Sequence, residues 1–240
     1  MSALTFTKIP DCEALIANDL REWFEKEIDF SELFPREKLK VSTDHPFVAL
    51  LQQNVPEGEK YNVSGFPCVT VIDTSFSKLV ETQVAPEVMK ILPAIITEIE
   101  NGGRNKFIMS KQDLASLKEL FKTNEFVRAE GFQTLRKTSL AIEIWSTNSV
   151  QKGKIFDLVS MYLVGQQRFN QYTQNEIIIE EETISGERSG IYNFDFGEVL
   201  YGGMIRFNVA YTVGQYTVKD YEIGASVQVQ VNGMVGGDDE

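Results

Sequence analysis

The sequence predicts an α+β fold, a mixed and mainly antiparallel sheet flanked by amphipathic helices, and three observations carry that prediction. Residues 138–163, TSLAIEIWSTNSVQKGKIFDLVSMYL, begin as an apolar alternation at Leu140, Ile142 and Ile144. After a polar turn the apolar residues Ile155, Phe156, Leu158, Val159, Tyr162 and Leu163 recur at helical spacing. Late in the chain two more stretches alternate, first Ile205, Phe207, Val209, Tyr211 and Val213, then Val227, Val229 and Val231. Nothing repeats the βαβα order of a doubly wound nucleotide fold.

The elements follow in order. Asp11 is placed to cap an amphipathic helix running to about Glu27, with Leu15, Ile16, Leu20, Trp23 and Phe24 on one stripe. Residues 38–43 form a short strand. The stretch from Asp44 to Pro67, broken by Pro46, Pro56, Gly58, Gly65 and Pro67, reads as a loop before the strand Cys68–Ile72. Residues 87–100 read as a helix that Pro93 kinks or begins, stopped by Asn101-Gly102-Gly103. Lys111 to Lys122 is a short helix carrying Leu114, Leu117, Leu120 and Phe121. After the central strand and helix, EIIIEEET (176–183) reads as a strand ending in three acids, Gly186 to Gly203 as a loop, and the two late alternating stretches as strands. The chain reads as one domain over 1–232, with a helical and extended N-terminal segment at 1–60. The last residues, 233–240, form a flexible acidic tail.

Composition narrows the function classes. At 240 residues, 42% hydrophobic and 24% charged, the chain has an ordinary globular make-up and the length to bury a large core. A formal charge of −12 opposes tight binding to a phosphate backbone. The start lacks the basic and apolar regions of a signal peptide, and no run reaches the ~18 apolar residues of a membrane span. Cys12 and Cys68, the two cysteines, stand in no metal spacing and read as buried thiols of a protein kept in a reducing cytoplasm.

Catalytic chemistry finds little purchase. The single histidine, His45, precedes Pro46 without a nominated nucleophile and reads as a loop residue with no role. The glycine pairs Gly102-Gly103 and Gly202-Gly203 lack a phosphate-loop frame and read as a helix stop and a strand-entry turn. The junction before the central helix offers only Ser146, Thr147, Asn148 and Ser149, which are capping residues. No cofactor and no metal site is expected. Carboxylates are plentiful, so a metal-dependent hydrolase using dispersed acids, with Asp195 and Glu198 flanking a site, is one alternative. Seven acids stand against one base, Arg188, between Glu176 and Glu198. An acidic adaptor that binds a basic protein through Glu180, Glu181 and Glu182 is therefore another. The same three glutamates equally suit a solvated strand edge. Trp145 lies on the strand face opposite Ile142 and Ile144, and is covered by a second layer or held at a subunit contact.

Two resemblances bear on this. Residues 61–73, YNVSGFPCVTVID, are similar to the strand-entry segment of thioredoxin-like folds, in which a cis-proline precedes a buried strand. That family carries a CxxC or reactive cysteine at a helix start, and this chain has no CxxC. The larger order, SLAIEIWS, a polar turn, KGKIFDLVSMYL, an acidic segment and long alternating strands, resembles the tail-terminator and neck proteins of tailed bacteriophages and related contractile particles. The likeness covers roughly residues 61–232 and is carried by Ile142, Ile144, Trp145, Ser146, Ile155, Phe156, Leu158 and Val159. It implies a non-enzymatic virion protein assembled in the host cytoplasm, closing on itself in a ring that is commonly six-fold. Such a ring ends the tail tube or sheath and meets neck or connector proteins. DNA passes through its channel, and no membrane is involved.

Overall fold

The computed structural model describes residues 4–27, 39–53, 55–56, 59, 62–74, 78–79, 85–91, 93–100, 107–122, 127–169, 177–180, 184–193 and 199–219. In chain order the elements are β1 (Thr5–Lys8), α1 (Cys12–Glu27), β2 (Lys40–Ser42), α2 (Pro46–Leu51), β3 (Cys68–Asp73), β4 (Lys78–Leu79) and β5 (Ala85–Ile91). They continue with α3 (Pro93–Glu100), β6 (Phe107–Ile108), α4 (Lys111–Phe121), β7 (Val127–Ser146), α5 (Ser149–Phe169), β8 (Ile177–Ile179), β9 (Ser185–Asn193) and β10 (Val199–Lys219).

Two long strands organise everything else. β7 and β10 pair antiparallel without a break from Ser146 opposite Tyr201 to Arg128 opposite Lys219. At ~3.3 Å per residue this ribbon is ~60 Å long. β3, β4 and β5 pair in succession along the free edge of β7. β9, β8 and β1 do the same along β10. β2 extends β3 in parallel and β6 extends β1 antiparallel, so the sheet is mixed and mainly antiparallel and the fold α+β, as the alternation predicts.

Side-chain alternation then decides where the helices settle. Leu140, Ile142 and Ile144 of β7 share a face with Ile205, Phe207 and Val209 of β10, and α1 and α5 cover it. Leu15, Ile16 and Leu20 of α1 and Ile155, Val159 and Leu163 of α5 are wholly buried there; each such side chain contributes about 1.5–3 kcal/mol of transfer free energy. At the far end of the ribbon the opposite parity is buried. Val127, Ala129, Tyr216 and Val218 pack beneath Ile96 of α3 and Leu117 of α4. The helical cover therefore changes sides along the ribbon.

Caps fix the helix starts. Asp11 Oδ1 accepts from the Ala14 amide at 3.0 Å, as its position before α1 predicts. Asn148 Oδ1 accepts from the amides of Val150 and Gln151 at 2.9 and 3.1 Å, so the polar turn after β7 is a helix cap. Ser110 does the same for α4 through the Asp113 amide at 3.0 Å.

Several expectations need correction. Residues 46–51 are helical rather than loop, because a proline at the first helical position gives up an amide that needs no partner there. Residues 87–91 belong to β5, not to a helix, since pairing with β7 overrides local preference; α3 starts only at Pro93. The stretch 186–203 contains β9 and the start of β10 instead of a loop. Gly202-Gly203 is no turn but lies inside β10, where the rings of Trp145 and Phe156 press against the two glycines. The strand read at 176–183 is described as Ile177–Ile179. β1 and the first half of β7 were not expected at all. The strand predicted around Val227–Val231, the glycine stop at 102–103 and the acidic tail at 233–240 lie outside the described residues.

Candidate functional site

The helix α2 and the end of β7 build the most chemically dense part of the described structure. On β7, Glu143 and Trp145 are two residues apart and share the face opposite Ile142 and Ile144. Trp145 is only 6% exposed, enclosed by Leu50, Phe66, Cys68 and Leu200. The ring of Phe47 meets it edge-on with centroids 4.7 Å apart. On its other side Gly202, its partner in the ladder, leaves room for the indole; a Cβ there would stand 2.8 Å from the Trp145 ring.

Glu143 is buried as well, and a buried carboxylate needs donors. It has two. The Trp145 indole N–H donates to Glu143 Oε2 at 3.0 Å, and His45 Nε2 lies 3.1 Å from the same oxygen. The other His45 nitrogen, Nδ1, accepts from the Phe47 amide at 3.3 Å and so caps α2. Because Nδ1 accepts, the proton of the neutral ring sits on Nε2 and points at Glu143. Both imidazole nitrogens are thus committed to structure. His45 therefore has a role, contrary to the expectation that it had none. The role is to tie a helix start to a buried carboxylate, and neither nitrogen is left to act as a base toward a bound substrate.

Beside this cluster a cleft of about 520 Å³ opens between β2, α2 and the turn at 62–66, lined by Lys40, Asp44, His45, Gln53, Asn62 and Phe66 among others. Gln53 and Asn62 brace its wall reciprocally, the Gln53 amide donating to the Asn62 carbonyl at 3.0 Å and accepting from the Asn62 N–H at 2.8 Å. Cys68 also borders the cleft. Burial, helped by the charge of Glu143 and opposed by Lys40, pushes its thiol up to about 12. The Cys12 thiol is likewise pushed to about 12, first by burial and then by Asp11, Asp73 and Glu13. Neither is an activated nucleophile. The Phe66–Pro67 peptide is cis, as in the segment that residues 61–73 resemble.

The acidic segment sits elsewhere. Glu180 follows β8, its amide donating to the Asn208 carbonyl at 3.0 Å and its carboxylate ion-paired with Lys137 of β7. Along β10 the ladder positions of Trp145 and of β8, Gly202 and Val209, are ~23 Å apart at ~3.3 Å per residue. The structure does not bring Trp145 and Glu180 together. Glu181, Glu182, Asp195 and Glu198 lie outside the described residues. Among the described residues no group of three His, Cys, Asp or Glu side chains is arranged to hold a metal ion, and no helix is long and apolar enough to cross a membrane.

Sequence reasoning missed Glu143 and its histidine. One signal was available: an acid inside an otherwise apolar strand, on the same face as a tryptophan two residues on, needs a donor nearby. No protein-family model matches the chain, and no curated protein matches it.

Proposed function

We propose that the chain is a non-enzymatic structural subunit of a phage or phage-like particle. It closes into a ring at the tail end or neck, terminates the tail tube or sheath and joins it to the head. The observation that carries this reading is the β7–β10 ribbon with α5 folded back against it. A capped strand-to-helix unit is locked into a sheet whose two long strands run on from the cluster under α1 and α5 to a second cluster under α3 and α4. A strand-turn-helix junction of that kind commonly displays a catalytic loop; here the junction residues are spent on capping α5. The second support is His45, whose two nitrogens are both engaged. In the resembled tail-terminator and neck proteins such a sheet packs into a ring, commonly six-fold, and ring closure needs two different complementary surfaces on each subunit. The partners are further copies of the chain and the tube, sheath or connector proteins above and below, within the virion. DNA passes through the channel, and the charge of −12 keeps the wall from gripping phosphate.

The test is the solution mass of the purified protein by light scattering over a wide range of concentration and salt. The expected result is a discrete assembly of several subunits that grows in with concentration. A strict monomer up to the solubility limit overturns self-closure.

A further inference from the structure

We infer that a small cavity between β7, β10 and β9 is a binding site for one primary ammonium group, the head of a lysine side chain or of a free small amine. The register builds it. Trp145 of β7 pairs with Gly202 of β10, and Gly202 with Gly190 of β9. Two positions along, Glu143 pairs with Met204 and Met204 with Glu187. Directly paired residues share a face, so both rows stand on the side of the sheet opposite Ile142 and Ile144. One row sets two glycines beside a tryptophan, and the other sets a carboxylate on each side of a methionine. Bare backbone at Gly190 and Gly202 leaves a hollow of about 70 Å³, bounded by Glu143, Trp145, Glu187 and Met204.

The charge in this hollow is negative and incompletely matched. Glu143 is 7% exposed, and both of its donors, the Trp145 indole and His45, go to Oε2. Oε1 takes no described hydrogen bond. It is not sealed in either, since the one buried and unpartnered side-chain atom among the described residues is Arg136 Nε. Glu143 lines the cavity, and Oε1 is the oxygen left to face it. A carboxylate oxygen in so enclosed a place calls for a donor. Glu187, which is exposed, supplies a second negative charge from the other wall, its Cα ~10 Å from that of Glu143 across two strand spacings. Arg206, the exposed cation one row further along β10, is in none of the described ion pairs, so the chain's nearest guanidinium does not fill the role.

Size and donor count select the occupant. A water takes ~30 Å³ of liquid volume, so the hollow has the room of about two waters, enough for an ammonium and its first carbon. A guanidinium fork seeks both oxygens of one carboxylate, and Glu143 has only one to give. A divalent ion needs about six oxygen ligands, and no group of three His, Cys, Asp or Glu side chains gathers here among the described residues. A point charge with three N–H donors suits one open oxygen on each side.

The experiment uses the full-length chain carrying Trp23→Phe, which leaves Trp145 as its sole tryptophan. Methylammonium chloride is titrated against Trp145 emission, with tetramethylammonium chloride, a cation without an N–H, at equal ionic strength. The expected result is a saturable change with methylammonium alone, half-complete at about 10 mM or above, as befits a ligand of two heavy atoms. Glu187→Gln, at an exposed position, is expected to raise that midpoint about fivefold with unchanged circular dichroism. In the parent chain the Trp145 indole N–H resonance, bonded to Glu143, should shift with methylammonium while that of Trp23 stays, so the test does not depend on the variant's folding. Nα-acetyl-lysine amide separates the sources: saturation like that of methylammonium assigns the site to a lysine side chain, and methylammonium alone assigns it to a free amine. No saturable response in either readout, an equal response to tetramethylammonium, or a midpoint indifferent to Glu187→Gln overturns the site.

Discussion

Glu143 is a buried carboxylate whose Oε2 takes the Trp145 and His45 donors. Trp145→Phe keeps most of the ring and removes one donor to a charged acceptor, so a loss of about 1–3 kcal/mol is expected in urea unfolding. Thiol reactivity gives a second prediction. With burial holding Cys12 and Cys68 near 12 against an ordinary 9.0, both remain protonated at pH 8. Ellman's reagent should then titrate no thiol in the native protein and two after denaturation; fast native labelling of either would contradict their burial. Glu13 supplies a pH prediction. Burial, opposed by the Asp73 amide and aided by the Asp73 and Asp11 charges, raises its pKa above 4.5. The folded state then holds that proton more tightly than the unfolded chain. Its stabilising contribution is full below the ordinary carboxylate range and is lost as pH rises through the raised value. Glu13→Gln, which keeps an acceptor for the Asp73 amide, should match the parent near pH 4 and melt higher at pH 7. A variant that melts lower at pH 7 would reverse the sign. Of these residues, the burial of Cys12 and Cys68 was legible in the sequence, while the pairing of Glu143 with Trp145 was missed. His45 reaches Glu143 because α2 packs over β7, and local pattern carries no trace of that.

At the scale of elements, what was legible depended on whether a segment's own pattern or a distant partner made it. The helices α1, α4 and α5 each carry an apolar stripe and a capping residue, so the bounds of α1 and α4 and the start of α5 were readable to within a few residues, while α5 runs on past Leu163 to Phe169. The first half of β7 carries Arg128, Glu130, Gln133, Thr134, Arg136 and Lys137, with no clean alternation. It is a strand because β10 and β5 hold it from both sides. That dependence is testable at Gly131, where an added Cβ would collide with the Gln215 backbone carbonyl across the ladder. Gly131→Ala is expected to cost at least about 1–3 kcal/mol, the penalty of overpacking against atoms that cannot move aside. Asn148→Ala at the start of α5 removes an acceptor for two amides and should cost about 1 kcal/mol. Chemical denaturation of the two variants separates these magnitudes, and a neutral Gly131→Ala would show that the strands are looser than their register implies.

For the whole molecule, charge and shape give the remaining prediction. A chain of −12 should show no retention of duplex DNA in a mobility-shift assay at ~150 mM salt, where the Debye length is ~8 Å. Tight binding there would remove the passive-channel account. The exchange of helical cover from one face to the other also has a mechanical consequence. Each end of the ribbon is anchored to its own apolar cluster, so tension applied between the two clusters runs along β7 and β10 instead of across them. Loaded in that direction, the cross-strand hydrogen bonds share the force and must shear together, where a pull across the strands would open them one at a time. The molecule is stiffest along the axis on which its two ends would be drawn apart.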